Sequence, residues 1–328
     1  MEKPLVSIYA TVYNNANIVS KSIKSIINQF PDFDKNFEFV IVDNYSNDGT
    51  YEILLKFQKK HPNIKIIRAN CTRGGGRAIA VNKSQGNYLF YVDLDTIYTP
   101  VLSKVIYKMI KEYKTGSLMP YGFCDRKTMN KIGNWNYNLN MAEDSEFFAR
   151  AISKGVKLFD LPAILGLNEP VKSRNRERRY YKNMIDYIIR KYKNLEDSIK
   201  GNGYFKINSK VAVGVSDLRY LAYLLIYFKI KILRQKIYSY YDKGSNSIFV
   251  YKNITLLNPA SFNIPKKFYF YRFNMSDIEI SDLNRHLETL RNFGFNKIEL
   301  NEPKLNRLRL FVYTDKTDKN LLNLLRYT

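Results

Sequence analysis

Sulfur and imidazole are scarce in this chain. Its 328 residues include two cysteines, Cys71 and Cys124, and two histidines, His61 and His286. The cysteines lie far apart and in no metal-type spacing, so neither a disulfide framework nor a zinc site is indicated. Acidic side chains are also in deficit, with 30 Asp and Glu against 53 Lys and Arg, a formal net charge of +23. That balance favours anionic partners: nucleotide phosphates, acidic lipid headgroups or nucleic acid. Long apolar runs are missing. The longest, Tyr220 to Phe228, falls well short of the roughly twenty residues that span a bilayer. The opening segment Met1 to Tyr9 enters a strand pattern without the apolar stretch of a signal peptide, so the expected location is the cytoplasm. No spaced-glycine dinucleotide fingerprint and no Lys-Ser/Thr phosphate loop occur, which argues against NAD binding and ATP hydrolysis.

What is present is a regular alternation. Leu5 to Ala10 and Glu38 to Val42 are short runs of β-branched and aromatic residues, separated by helical spacing at Ile18, Ser22, Ile23, Ile26 and Ile27. A helix is expected from Thr50 to Lys60, then a strand at Ile64 to Arg68, a Gly-rich turn, a helix near Arg77 to Ser84, and a strand leading to Asp93. Strand and helix in that order imply an α/β fold with a doubly wound, mainly parallel sheet, whose ligand crevice lies beyond the carboxyl ends of the strands. A boundary is expected near Pro170. From Lys172 to Lys193 there are nine basic residues and two acidic ones, interleaved with tyrosines, including Tyr180 and Tyr181. From Phe268 onward the pattern is strand, helix at Ser281 to Phe293, strands at Lys297 to Leu300 and Arg307 to Thr314, then helix. The expected organisation is therefore an α/β domain over 1–170, in two halves, 1–100 and 101–170. A basic, Tyr-rich helical segment follows over 171–244, and a small α/β appendage over 245–328.

Chemistry concentrates at strand ends. Tyr88-Leu-Phe-Tyr-Val-Asp93-Leu-Asp95 closes an apolar strand with two carboxylates one residue apart. Alternate side chains point the same way, so both can converge on one cation. Oxygen-only ligands suit Mg²⁺ or Mn²⁺, whose shell is completed by phosphate and water. Two solvated turn aspartates are the structural alternative. The first strand runs into Thr11-Val-Tyr13-Asn14-Asn15, and the second into Asp43-Asn44-Tyr45-Ser46-Asn47-Asp48-Gly49-Thr50. Asp43 and Asn44 stand where a base or ribose can be read, while Ser46, Asp48 and Gly49 read as a turn and helix start. Arg73-Gly-Gly-Gly-Arg77 precedes a helix, which would let flexible backbone and two guanidiniums meet phosphate, or would simply be a mobile loop. Ala142-Glu143-Asp144-Ser145-Glu146 opens an amphipathic helix, where acids also suit the N-terminus electrostatically.

Together these segments, over roughly residues 4 to 165, resemble the family 2 glycosyltransferases of the GT-A fold. Val6-Ser-Ile-Tyr-Ala-Thr-Val-Tyr-Asn looks like the family's opening strand, and Val42-Asp-Asn-Tyr-Ser-Asn-Asp-Gly-Thr like its nucleotide-contacting loop. Asn82 to Asp95 is similar to its helix, strand and metal-binding Asp-x-Asp. Lys131-Ile-Gly-Asn-Trp, followed by Ala-Glu-Asp, resembles its acceptor-side loop and Glu-Asp motif. The resemblance implies inverting transfer of a sugar from a nucleotide diphosphate sugar, UDP-linked by preference, to a hydroxyl of a lipid-linked or surface glycan. It implies Asp144 as general base, Mn²⁺ or Mg²⁺ at Asp95 with Asp93 nearby, base and ribose contacts from Thr11, Tyr13 and Asn44, and Arg77 as phosphate or base contact. Two positions depart from the pattern: Asn44 stands where many members have a second aspartate, and Val81 precedes Asn82 where arginine is common.

In the C-terminal half, Arg219, Lys229, Lys231, Arg234 and Lys236 accompany an apolar stretch with no acid between Arg219 and Lys236. Such a helix suits the surface of an anionic membrane on its cytoplasmic face, or packs on the catalytic domain with its lysines reaching water. Arg174, Arg176, Arg178 and Arg179 are placed to cover a diphosphate or to form a solvated loop. Two rival classes remain: nucleic-acid binding through tyrosine and basic residues, which leaves the paired carboxylates unexplained, and a GT-A-like nucleotidyltransferase attacking phosphorus.

Overall fold

The structure, a computed structural model, describes residues 5–113, 115–119, 121–168, 183–202, 217–234, 252–275, 278–301 and 308–326. From the N-terminus, β1 (Val6–Val12), α1 (Val19–Ile27), α2 (Phe33–Asn36), β2 (Phe37–Asp43), α3 (Thr50–Lys60), β3 (Ile64–Arg68), α4 (Arg73–Lys83) and β4 (Tyr88–Tyr91) alternate as expected. After β4 come β5 (Thr96–Tyr98), α5 (Leu102–Glu112), β6 (Ser117–Leu118), β7 (Cys124–Asp125), α6 (Arg126–Ile132), α7 (Glu143–Ser153), β8 (Leu158–Asp160) and β9 (Gly166–Asn168). The central sheet has the order β3-β2-β1-β4-β7; its first four strands are parallel and β7 closes one edge antiparallel.

Every residue of β2 is buried, and β1 is buried but for Thr11. Covered on both faces, such strands read as continuous apolar runs rather than alternating ones. On α1, Val19, Ile23, Ile26 and Ile27 recur on one face and bury it. A buried carboxylate ties the sheet together at its opposite end. Glu38 Oε1 accepts from Ser7 Oγ at 2.6 Å and Gly86 N at 3.1 Å, and Oε2 pairs with Lys65 Nζ at 2.7 Å. Burial opposes that charge, but Lys65, Ser7 and the Gln85 amide outweigh it and hold the Glu38 pKa below its usual value.

The start of α3 confirms the turn reading of Ser46, Asp48 and Gly49. Asp48 Oδ1 accepts from Thr50 N at 3.0 Å, its Oδ2 accepts from Ala16 N at 3.0 Å, and Ser46 Oγ accepts from Asn14 N at 2.9 Å. Gly49 holds φ +95°, a conformation glycine adopts without penalty. The Arg73–Arg77 stretch is different from expectation: its three glycines lie inside α4, not in a turn before it. A Cβ on Gly74 would stand 2.1 Å from the Asn136 carbonyl oxygen, and one on Gly76 2.5 Å from Thr11 Cγ2. The glycines thus let α4 lie against the 136–139 loop and the end of β1.

Beyond residue 250, β10 (Ile254–Leu256) adds in parallel to β8, which also pairs with β6. A separate three-stranded sheet has β13 (Arg309–Tyr313) between β11 (Phe270–Asn274) and β12 (Lys297–Asn301), all antiparallel, with helices at Ile280–Asn292 and Lys319–Arg326. Leu256, Phe262, Tyr269 and Phe273 belong to the same buried cluster as β1 and β2. Asp160 joins the two parts, its Oδ2 accepting from Tyr271 Oη at 2.8 Å. Burial pushes the Asp160 carboxyl up to about 6, against the hydrogen bonds from Tyr271 and the Leu161 amide. A carboxyl raised on folding stabilises the native state fully below its unfolded pKa and loses that contribution as pH rises through about 6. Asp160→Asn should therefore unfold at higher denaturant than the parent at pH 7.5, by about 1–2 kcal/mol after allowing for solvent screening, with the gap closing by about pH 4. Urea titrations at the two pH values measure it, and a gap that persists at the acid end would refute the assignment.

The helices Met184–Asn202 and Asp217–Ile232 pack on each other through Ile199, Ile226 and Ile230. No helix among the described residues is long and apolar enough to cross a membrane. The boundary expected near Pro170, the arginines 174 to 179, Tyr180, Tyr181 and Lys236 lie outside the described residues.

Candidate active site

The carboxyl ends of β1, β2 and β4 open into one cavity of about 300 Å³, with Thr11, Tyr13, Asn44, Asp93 and Asp95 in its lining. β1 lies between β2 and β4, so the cavity occupies the place where an open α/β sheet binds its ligand. The turn carrying the two aspartates is held from several sides. Asn15 Nδ2 donates to Leu94 O at 2.7 Å, Asp93 N donates to Tyr98 Oη at 2.9 Å, and the Tyr91 hydroxyl donates to Asp93 Oδ1. Burial, against the pull of Arg77, keeps the Tyr91 hydroxyl protonated and so a donor.

Two carboxylates are a small donor set. Among the described residues no group of three or more His, Cys, Asp or Glu side chains could enclose a metal ion. Asp93 and Asp95 fit a hard divalent cation that takes its remaining oxygens from a phosphate ligand and water, and they do not fit a cation caged by protein alone.

Beneath the cavity is a buried guanidinium. Arg77 is 5% exposed and lies over the rings of Tyr91 at 3.8 Å and Trp135 at 4.6 Å. Its Nη1 pairs with Glu143 Oε1 at 3.2 Å, and Arg73 Nη1 reaches the same oxygen at 3.4 Å. Burial works against the charge of Arg77, but the fields of Tyr91, Glu143, Asp93 and Asp144 outweigh it and raise its pKa. Glu143 is itself raised by burial, despite both arginines. Trp135 is fully buried, donates from Nε1 to Tyr9 Oη at 2.9 Å and stacks on Phe147 at 4.2 Å, so this residue of the expected acceptor loop is core.

Asp144 is exposed in the first turn of α7, its Oδ1 accepting from Ser145 N at 2.8 Å. It is not among the cavity-lining residues, but it acts on the same guanidinium as Asp93. Ala142, just ahead of α7, has φ +59°, and Asn14 and Tyr45 are likewise left-handed. Non-glycine residues held in that region cluster at functional sites. Glu146 serves structure: it pairs with Arg150 at 2.8 Å, and Arg150 in turn donates to the carbonyls of Ile132 and Gly133.

Several expected contacts fall elsewhere. Asp43 is fully buried, pairs with Arg68 Nε at 3.1 Å, and accepts from Ser46 N at 3.2 Å. It does not line the cavity, and neither does Arg77; Arg73 does. Nor are the first amides of α4 aimed at a phosphate. Arg73 N donates to Asn140 Oδ1 at 3.1 Å, Gly74 N to Leu139 O at 2.9 Å and Gly75 N to Thr72 Oγ1 at 2.9 Å. The glycine-permitted approach of the 136–140 loop gives them protein acceptors.

Cavity residues not foreseen from the sequence include Cys71, Thr72, Asn140, Asn168 and Arg190. Asn140 stands two residues before the Ala-Glu-Asp segment and Arg190 in the basic run, the signals that point to them. The Cys71 thiol is pushed up to about 11 by burial and by the charge of Asp43, so it is protonated and no nucleophile near neutral pH. A second cleft of about 850 Å³ adjoins the first, and Asn44, Cys71, Thr72, Asn140 and Arg190 line both.

Residues 7–160 match the family model described as Glycosyl transferase family 2. Over 104 residues the chain is 39% identical to an uncharacterized glycosyltransferase of Methanocaldococcus jannaschii, covering 30% of this chain and 35% of that protein. Over 171 residues it is 29% identical to a dolichol-phosphate mannosyltransferase of Pyrococcus furiosus, covering 51% of this chain and 44% of that protein. The chain thus spans less than half the length of either relative. Among solved structures, the mannosyltransferase PcManGT from Pyrobaculum calidifontis, in complex with GDP-Man and Mn2+, aligns with a TM-score of 0.48 at 13% identity over 70% of this chain and 76% of that one. Residues 7–160, which carry the mainly parallel sheet of GT-A type, are thus similar to glycosyl transferase family 2.

Proposed function

We propose that the chain transfers a sugar from a nucleotide diphosphate sugar to an acceptor hydroxyl, with inversion at the anomeric carbon. The observation that carries this reading is that Asp93 and Asp95 line one cavity with Thr11, Tyr13 and Asn44. Hydrogen-bonding groups for a nucleoside and carboxylates for its metal-bound diphosphate thus share one space. Thr11, Tyr13 and Asn44 hold base and ribose. A Mn²⁺ or Mg²⁺ ion at Asp93 and Asp95 would supply Lewis-acid stabilisation of the departing diphosphate.

Asp144 takes the proton from the acceptor hydroxyl as that oxygen bonds to the anomeric carbon and the bond from that carbon to the diphosphate breaks. Its exposure at the start of α7 leaves it open to an acceptor. Arg77, fixed between Glu143 and two rings, holds a constant positive field on Asp93 and Asp144 from below. The acceptor is proposed to be a lipid-linked or surface glycan, and the enzyme to work in the cytoplasm; the lipid phosphate in the name of the Pyrococcus relative supports the former.

Calorimetric titration of UDP, GDP and dTDP sugars, with and without Mn²⁺, tests the donor half. One donor should bind at least about tenfold more tightly with the metal, and Asp95→Ala should lose that increment while keeping metal-free binding. An unchanged metal response in Asp95→Ala would remove the diphosphate assignment.

A further inference from the structure

More than half of the exposed large apolar side chains among the described residues sit on, or directly after, two helices outside the 7–160 match. On Met184–Asn202 these are Met184, Ile185, Ile188, Ile189 and Tyr192, with Ile185 68% and Ile188 59% exposed. On and just after Asp217–Ile232 they are Leu225, Phe228, Ile232 and Leu233, with Phe228 56% and Ile232 78% exposed. The inner faces of the pair are already satisfied, because Ile199, Ile226 and Ile230 bury one another. What remains outside is more apolar surface than scattered single residues explain.

Its charged surroundings select the occupant. Lys191, Lys193, Lys231 and Arg234 are exposed beside these residues, and Lys229 joins the two helices by donating to Tyr192 Oη at 2.8 Å. From Tyr220 to Lys236 the sequence contains no acid. Apolar side chains bordered by these cations, on helices not long and apolar enough to cross, match a bilayer with acidic headgroups. We propose that the helices Met184–Asn202 and Asp217–Ile232 form a docking surface for an anionic phospholipid bilayer.

The same helix reaches the donor cavity with an adjoining side, where Ile189 and Lys193 line the second cleft. Arg190 lines that cavity, and Asp197 Oδ2 accepts from the Asn140 amide at 2.9 Å, next to Arg73. Docking therefore holds the mouth of the cavity at headgroup level, where a membrane-borne acceptor meets the donor. That last step rests on the sugar-transfer reading; the docking itself does not.

Flotation of the full chain with vesicles of phosphatidylcholine, alone or mixed with phosphatidylglycerol, tests the surface. The chain should partition into the mixed vesicles at least about tenfold better than into phosphatidylcholine, and high salt should weaken the preference. Ile188→Glu combined with Phe228→Glu should cost at least about tenfold, as should Lys231→Glu combined with Arg234→Glu, with nucleotide-sugar binding unchanged in solution as the check on folding. Equal flotation of parent and variants, or none by the parent, overturns the proposal. Light scattering that finds a dimer in the parent and a monomer in the Ile188/Phe228 variant, without vesicle binding, would assign the face to a second copy and equally overturn it. A chain that binds donor but no vesicles sinks only the docking surface; one that binds vesicles but no donor sinks only the transfer reading.

Discussion

Asp144→Asn is expected to lower kcat by roughly 10²–10⁴ while leaving donor affinity within about twofold. The amide keeps the size of the carboxylate and an oxygen for the Ser145 amide, which now donates to Oδ1. It has no capacity to take a proton from an acceptor hydroxyl. Arg77 would lose one of the fields that support its charge, but it retains Glu143 at 3.2 Å and the two ring faces, so the site beneath stays assembled. Single-turnover kinetics with saturating donor should place the loss in the chemical step. Normal turnover in this variant would leave inverting transfer without its base.

The largest expected effect on stability comes from a single methyl group. Ala is favoured over Gly inside a helix by roughly 1 kcal/mol, yet Gly74→Ala should destabilise the chain by about 3 kcal/mol or more. Its Cβ would meet the Asn136 carbonyl oxygen at 2.1 Å and the Leu139 carbonyl oxygen at 3.0 Å, both backbone atoms that cannot swing aside. To admit it, α4 and the 136–140 loop must separate. That breaks the bonds from Gly74 N to Leu139 O and from Arg73 N to Asn140 Oδ1, and loosens the seat of Trp135. For a chain of this size the melting temperature should fall by about 4 °C or more. Gly75→Ala is the control, since its nearest contacts would be 3.1 Å and 3.3 Å and the first is a side-chain hydroxyl. Calorimetric melts that place Gly74→Ala at or above the parent would mean the helix and loop are not in contact.

Much of the sheet was legible because its strands are buried on both faces and their composition says so without help from other parts of the chain. The Thr50–Lys60 helix and the Ile64–Arg68 strand lie at the expected bounds, since Asp48 and Gly49 mark the first locally and the β-branched run marks the second. The start of α4 was not legible. Three successive glycines oppose helix by propensity, and only a loop sixty residues later makes them necessary. The same long-range packing decides which arginine meets the cavity: Arg77 is turned inward by Glu143, Tyr91 and Trp135, while Arg73, at the first position of the helix, lines the opening. Asp43 looked like a ligand contact because it ends a strand, but Arg68, at its register partner on β3, claims it. Arg190 and Asn140 reach the cavity from elements whose positions no local pattern encodes.

The pairing of β10 with β8 has a consequence for how the molecule is made. Synthesis delivers Leu158 and Phe159 nearly a hundred residues before Ile254 and Leu256, the strand that covers their open edge. Closing so long a loop costs entropy before any pairing repays it. A nascent chain that has emerged only through β9 therefore presents an unpaired strand edge, which makes this interval of translation a time when it is exposed to aggregation and served by a chaperone.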